Sequence, residues 1–145
     1  MKFNRCLVFF FCFSLFSLKG FSQQNKAEIR TLIFQKTNAL RKEKGLHPLV
    51  FLDSLQHLAQ YHSKNMVEKQ FYSHVDPAGK SPMDRAEQLG IFPWRKKGNR
   101  WIGIGENIAK VPWFENVLGC GNTQSSEAFA ECMVQGWKNS PPHYK

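Results

Sequence analysis

The apolar residues of this chain change their spacing several times, and each change marks an element. From about Lys26 to Lys44, Ile29, Leu32, Ile33 and Leu40 fall on one face at helical spacing, and Gly45 is placed to end the helix. Leu46–Leu52 contains Pro48 and predicts an extended connector. Asp53 or Ser54 can cap a second helix, in which Leu55, Leu58, Ala59, His62 and Met66 form one stripe. Phe71–His74 leaves that helix, and Asp76-Pro77-Ala78-Gly79 predicts a turn. A third, short helix has Ser81 as N-cap, Pro82 in its first position, Asp84 in its first turn and Gly90 at its end. Phe92–Ile104 reads as a basic, aromatic loop, Ile102–Ala109 as a short strand, and Val111–Asn122 as a long glycine-rich loop. The last helix starts near Ser125 or Ser126, carries Phe129, Cys132, Met133 and Trp137 on one face, and stops at Pro141 and Pro142. One short strand among four helices leaves a sheet without partners.

The N-terminus follows a different pattern. Lys2 and Arg5 precede an almost unbroken apolar run, Cys6–Leu18, which is short for a bilayer span; Lys19 interrupts it, and small residues stand at Gly20 and Ser22. This predicts a secretory leader over residues 1–22, one domain over residues 23–145, and a secreted or periplasmic protein. Losing Lys2, Arg5 and Lys19 lowers the net charge from +9 to +6, a balance that suits anionic partners and does not argue for nucleic acid. Cys6 and Cys12 depart with the leader. Cys120 and Cys132 remain, and the sequence leaves open whether they form a disulfide or stay as two buried thiols.

Three segments carry candidate chemistry. His74 closes the exit of the second helix, and neutral imidazole both ligates metals and transfers protons near physiological pH. Glu106 lies in Gly105-Glu106-Asn107-Ile108-Ala109, where a carboxylate can orient an imidazole or bind a cation. His143 follows Trp137-Lys138-Asn139-Ser140, beyond the helix stop. His62 sits within an apolar stripe and reads as a core histidine bonded to backbone or water. No Gly-rich phosphate loop, Gly-x-Ser-x-Gly elbow or CxxC motif occurs, and Cys132 has no base near it in sequence.

In this order the segments AQYHSKNM (residues 59–66) with Phe71-Tyr72-Ser73-His74, then Gly105–Ala109, then Trp-x-x-Ser-x-x-His (residues 137–143) resemble the bacterial branch of the CAP superfamily. That superfamily takes in cysteine-rich secretory proteins, antigen 5 and plant pathogenesis-related proteins. The resemblance implies an α+β fold, the CAP-type α-β-α sandwich, here lacking its closing strands and therefore mostly helical. It carries the family's cavity groups onto His74, Glu106 and His143. Ser140 stands where many eukaryotic members have a second glutamate, and the later strand that bears their second histidine is missing. The family implies a binding role with lipid or sterol as partner, with divalent metal binding and proteolysis in isolated members and no shared reaction, while the positive charge adds an anionic cell-surface polymer as a partner. Zinc or another divalent metal, held by His74 and His143 with Glu106 as orienter or ligand, is the cofactor expected of two imidazoles. A metal-assisted hydrolase using Glu106 as base, or a truncated product without function, are the alternatives; no nucleophile is placed by the resemblance, which favours binding over catalysis.

Pro93–Trp101 adds a separate feature. Trp94, Arg95, Lys96, Lys97, Arg100 and Trp101 combine four cations with two indoles. Either the tryptophans pack back on the core, or the segment meets an anionic lipid or glycan surface.

Overall fold

The computed structural model describes residues 25–141 and 143; the expected leader over residues 1–22 lies outside them. In chain order the elements are α1 (Lys26–Glu43), α2 (Asp53–Glu68), α3 (Pro82–Gln88), β1 (Trp94–Lys97), β2 (Arg100–Gly103) and α4 (Ser126–Lys138). Four helices and one two-stranded sheet make an α+β fold that is mostly helical among the described residues.

The starts of α1, α3 and α4 follow their capping chemistry; α2 does not, since Leu52 rather than the expected Asp53 or Ser54 is its N-cap and no side chain caps it. Asn25 Oδ1 accepts from Glu28 N–H at the start of α1, and Gly45, at φ +65°, ends it. Ser81 and Asp84 form a reciprocal capping box on α3. Ser125 Oγ accepts from Ala128 N–H at the start of α4.

α1 lies against α4. The two run in the same direction: Ser126 Oγ donates to Glu28 Oε2 at 2.7 Å near both N-termini, and further along Lys36 Nζ bridges Glu127 Oε1 and Glu131 Oε2, each at 2.6 Å. Ile29, Ala130 and Val134 are buried. The other side of α4, bearing Phe129, Cys132 and Trp137, is covered by the segment after β2. Phe129 meets Trp113 at 5.6 Å, Cys132 is joined by a disulfide to Cys120 with Cα atoms 5.4 Å apart, and Trp137 Nε1 donates to Ile108 O at 3.2 Å. The glycine-rich loop is tied down by the fully buried Thr123. Its Oγ1 lies 2.6 Å from Pro112 O, to which it donates, and accepts from Phe114 N–H at 3.1 Å.

The expected loop over Phe92–Ile104 is instead an antiparallel hairpin, with Lys97 paired to Arg100 and Trp94 to Gly103. The sequence contains the reason. Gly98-Asn99 is a two-residue turn, and Gly98 at φ +59° takes the conformation that a side chain would resist. The strand expected over Ile102–Ala109 ends at Gly103, apart from one further bond, Ile104 N–H to Pro93 O at 2.9 Å. Beyond it side chains claim the polar groups: Trp137 takes Ile108 O, and Glu106 turns toward α3.

Candidate functional site

The site begins where α2 ends. Gln70, at φ +53°, is the non-glycine residue with positive φ among those described, and it occupies the position after the helix C-cap. Phe71 N–H reaches back to Met66 O at 3.1 Å and Gln70 N–H to Val67 O at 3.4 Å, the paired bonds of a left-handed helix stop. The stop folds Phe71 back over His62, with ring centroids 5.7 Å apart. It also brings Ser73 O to 3.0 Å from His62 Nε2. A carbonyl can only accept, so His62 is protonated on Nε2. His62 is 1% exposed, as the stripe of α2 predicted for a core histidine, and its Nδ1 has no hydrogen-bond partner among the described residues.

The turn after His74 is built by Asp76. Its Oδ1 accepts from Ala78 N–H at 2.9 Å and Lys80 N–H at 3.0 Å. Those bonds, that from Lys80 first, hold the Asp76 carboxyl below its ordinary pKa. The turn places Lys80 O beside α3, where Arg85 is waiting.

Arg85 is wholly buried. Its NH1 donates to His74 O and to Lys80 O, both at 2.8 Å, and its NH2 donates to Glu106 Oε2 at 2.7 Å. One guanidinium therefore fixes the backbone at His74, the end of the Asp76 turn and the carboxylate of Glu106. A planar fork of donors suits three acceptors in different directions in a way an ammonium would not. Its Nε has no hydrogen-bond partner among the described residues.

Glu106 has a second duty. Its Oε1 lies 2.9 Å from His74 Nδ1, and His62 Nε2 lies 3.7 Å from the same oxygen. An ionised carboxylate only accepts, so His74 carries its hydrogen on Nδ1 and turns the lone pair of Nε2 outward. The His74 side chain is 44% exposed while that of Glu106 is 15% exposed, so the imidazole stands at the surface on a largely buried support. The chemistry available is that of an oriented imidazole with one open nitrogen.

Of the groups nominated from sequence, His74 and Glu106 are brought together. His143 makes a local contact instead: its Nδ1 is 2.7 Å from Ser140 Oγ, and no hydrogen bond or ion pair among the described residues joins it to His74 or Glu106. No group of three or more His, Cys, Asp or Glu able to hold a metal occurs among the described residues. Arg85 was missed by sequence reasoning. No local signal could have found it, because its acceptors stand at positions 74, 80 and 106.

An imidazole held by a carboxylate after the second helix, with α1 and α4 paired behind the intervening segments, defines a CAP-type domain. Residues 34–145 match the model of the cysteine-rich secretory protein family, CAP, and the chain belongs to that family. It is similar to a protein of Bacillus subtilis strain 168 described as uncharacterized protein YkwD, with 29% identity over 113 residues, 78% of this chain and 35% of that relative. The chain thus spans about a third of the length of the curated relative it matches. No solved structure matches it.

Proposed function

We propose that this chain is an exported CAP binding module whose His74 presents Nε2 to a ligand, a divalent cation such as zinc being the best chemical fit. The observation that carries this reading is the relay from Arg85 through Glu106 to His74 Nδ1, with contacts of 2.7 and 2.9 Å. A carboxylate bonded to the far nitrogen of a ring fixes its tautomer and raises its basicity as a donor. His143 is the second donor in this reading, since Ser140 engages its Nδ1 and leaves Nε2 as the ligating atom. The cation would be held by the two rings, and Glu106 would orient His74 rather than ligate. Two imidazoles suit zinc or copper but give few donors, so binding is weak. Export is supported by the Cys120–Cys132 disulfide, which an oxidising compartment maintains.

The hydrolase alternative asks Glu106 to take a proton from water. Both of its oxygens already accept hydrogen bonds, one from Arg85 and one from His74, so a water would have to displace a charge-assisted partner. That favours binding. Titration calorimetry with zinc on the wild type, His74→Ala and His143→Ala is the test. The expected result is a weak isotherm that each substitution removes, and that fades as the imidazoles protonate. Equal heats from the wild type and His74→Ala would overturn the reading.

A further inference from the structure

The hairpin formed by β1 and β2 plays no part in the His74 site, and its chemistry is sorted by face. Side chains alternate across a strand and directly paired residues share a side. The pairs Trp94–Gly103 and Lys96–Trp101 therefore lie on one face, and Arg95–Ile102 and Lys97–Arg100 on the other. The second face holds three cations around one apolar side chain.

The first face is anchored at its base and open beside it. A Cβ on Gly103 would lie 3.2 Å from both Met83 Sδ of α3 and Cζ3 of Trp94, so glycine there admits the close approach that seats the hairpin. Pro93 below it is buried. Two aromatic groups beside this anchor are open to solvent: Trp101, in the middle of β2, is 60% exposed, and Phe92, just before β1 at the base of the hairpin and its edge-to-face neighbour at 6.1 Å, is 71% exposed. These are large apolar surfaces to leave in water.

The charge is equally unsatisfied. Segment 91–104 contains Arg95, Lys96, Lys97 and Arg100 and no acidic residue. Among the described residues none of the four forms an ion pair, whereas Lys36 and Arg85 elsewhere in the domain do. Like charges directly opposed at Lys97 and Arg100 destabilise a free hairpin. An external anionic surface would relieve that repulsion.

We propose that this hairpin docks the domain on an anionic lipid bilayer, with Phe92 and Trp101 entering the headgroup layer beside Lys96, and the long side chains of Arg95, Lys97 and Arg100 reaching lipid phosphates from the opposite face of the thin two-stranded ribbon. A polyanionic polymer would require the cations but would not reward the exposed Phe92–Trp101 pair. A bilayer interface satisfies both, because indole rings partition to the headgroup level and cations are drawn to the negative leaflet. The four-residue strands and their rigid two-residue turn present these groups with little conformational freedom left to lose.

The experiment is co-sedimentation of the protein with vesicles of equimolar phosphatidylglycerol and phosphatidylcholine, against phosphatidylcholine alone. Tryptophan emission and its quenching by brominated lipid are read on the same samples. Binding is expected only to the anionic vesicles and should weaken with added salt. Reversing two charges in Arg95→Glu/Lys97→Glu should reduce partitioning at least about tenfold. Trp101→Ser should abolish most of the brominated-lipid quenching. Far-UV circular dichroism and the melting temperature confirm that each variant is folded, and both sites project from the domain. Equal binding to the neutral vesicles, undiminished binding by the charge-reversal variant, or unchanged quenching in Trp101→Ser would each overturn the proposal. Charge-dependent binding to soluble polyphosphate with no vesicle binding would assign the face to a polymer and equally overturn it.

Discussion

Replacing Arg85 by Met should unfasten the site and much of the domain with it. The guanidinium is wholly buried and supplies three hydrogen bonds of 2.7–2.8 Å to Glu106, His74 O and Lys80 O. Removing one member of a buried ion pair costs about 3–5 kcal/mol, because the other charge is left without compensation. Glu106 keeps its bond from His74 and its side chain is 15% exposed, so water can reach it in part and the lower end of that range applies to the pair. The two abandoned carbonyls add about 1 kcal/mol each where water does not replace the donor. The total, about 3–5 kcal/mol, is a large share of the roughly 5–15 kcal/mol that holds a domain together. It corresponds to a fall in melting temperature of roughly 10–20 °C. Urea unfolding of Arg85→Met, Glu106→Gln and the double variant separates the pair from its surroundings. The double variant should be less destabilised than the sum of the singles, by roughly 2 kcal/mol. A cost below about 1 kcal/mol for Arg85→Met, or strict additivity in the cycle, would show that the buried guanidinium does not hold Glu106.

Three further outcomes test other parts of the structure. Gln70→Gly removes the side-chain penalty of a left-handed residue, so urea unfolding should show stabilisation by up to about 1 kcal/mol; a loss instead would mean that the Gln70 side chain is needed. Cys120 and Cys132 are 12 positions apart, and reducing their bond should cost about 3 kcal/mol of stability, read as a lower urea midpoint in dithiothreitol. The hydrogen bond from Lys36 first, and then that from Gln135, lowers the Glu131 carboxyl below its ordinary 4.5. Its contribution is therefore present above pH 4.5 and is lost as pH falls through the lowered value. The stability gap between wild type and Glu131→Gln, under about 1 kcal/mol for so exposed a pair, should close once the pH has fallen below the lowered value. A gap independent of pH would show that the carboxylate charge is not its source.

The parts of the fold that local chemistry determines were legible. Helix stops and caps at Gly45, Ser81 and Ser125 depend on the residue and its immediate neighbours, and the structure has them there. His62 was legible as a core group because a helix stripe fixes its side. The stripe itself is shifted: Leu55 is exposed and Asn65 buried, with the Phe71–Ser73 segment folded against His62. The hairpin was obscured because Arg95–Lys97 and Arg100 lack an alternating apolar pattern; only Gly98-Asn99 announced it. Arg85 was obscured for a different reason. Its burial depends on acceptors at positions 74, 80 and 106, and nothing local says that a helical arginine will find them.

The pairing of α1 with α4 has a consequence for how the molecule comes into being. Ser126 is bonded to Glu28 across 98 positions, and Glu131 to Lys36 across 95. The helix α1 therefore has its packing partner in residues made long after its own. Until residues 126–138 arrive, Ile29 has no cover, and α1 alone is a marginal helix in water. The α3 turn and the hairpin depend only on neighbours and can form meanwhile, as can the disulfide loop once Cys132 is reached. Closure of the long loop between the outer helices is the slow, non-local step. The first half of the domain therefore stays without its helical partner until α4 is made.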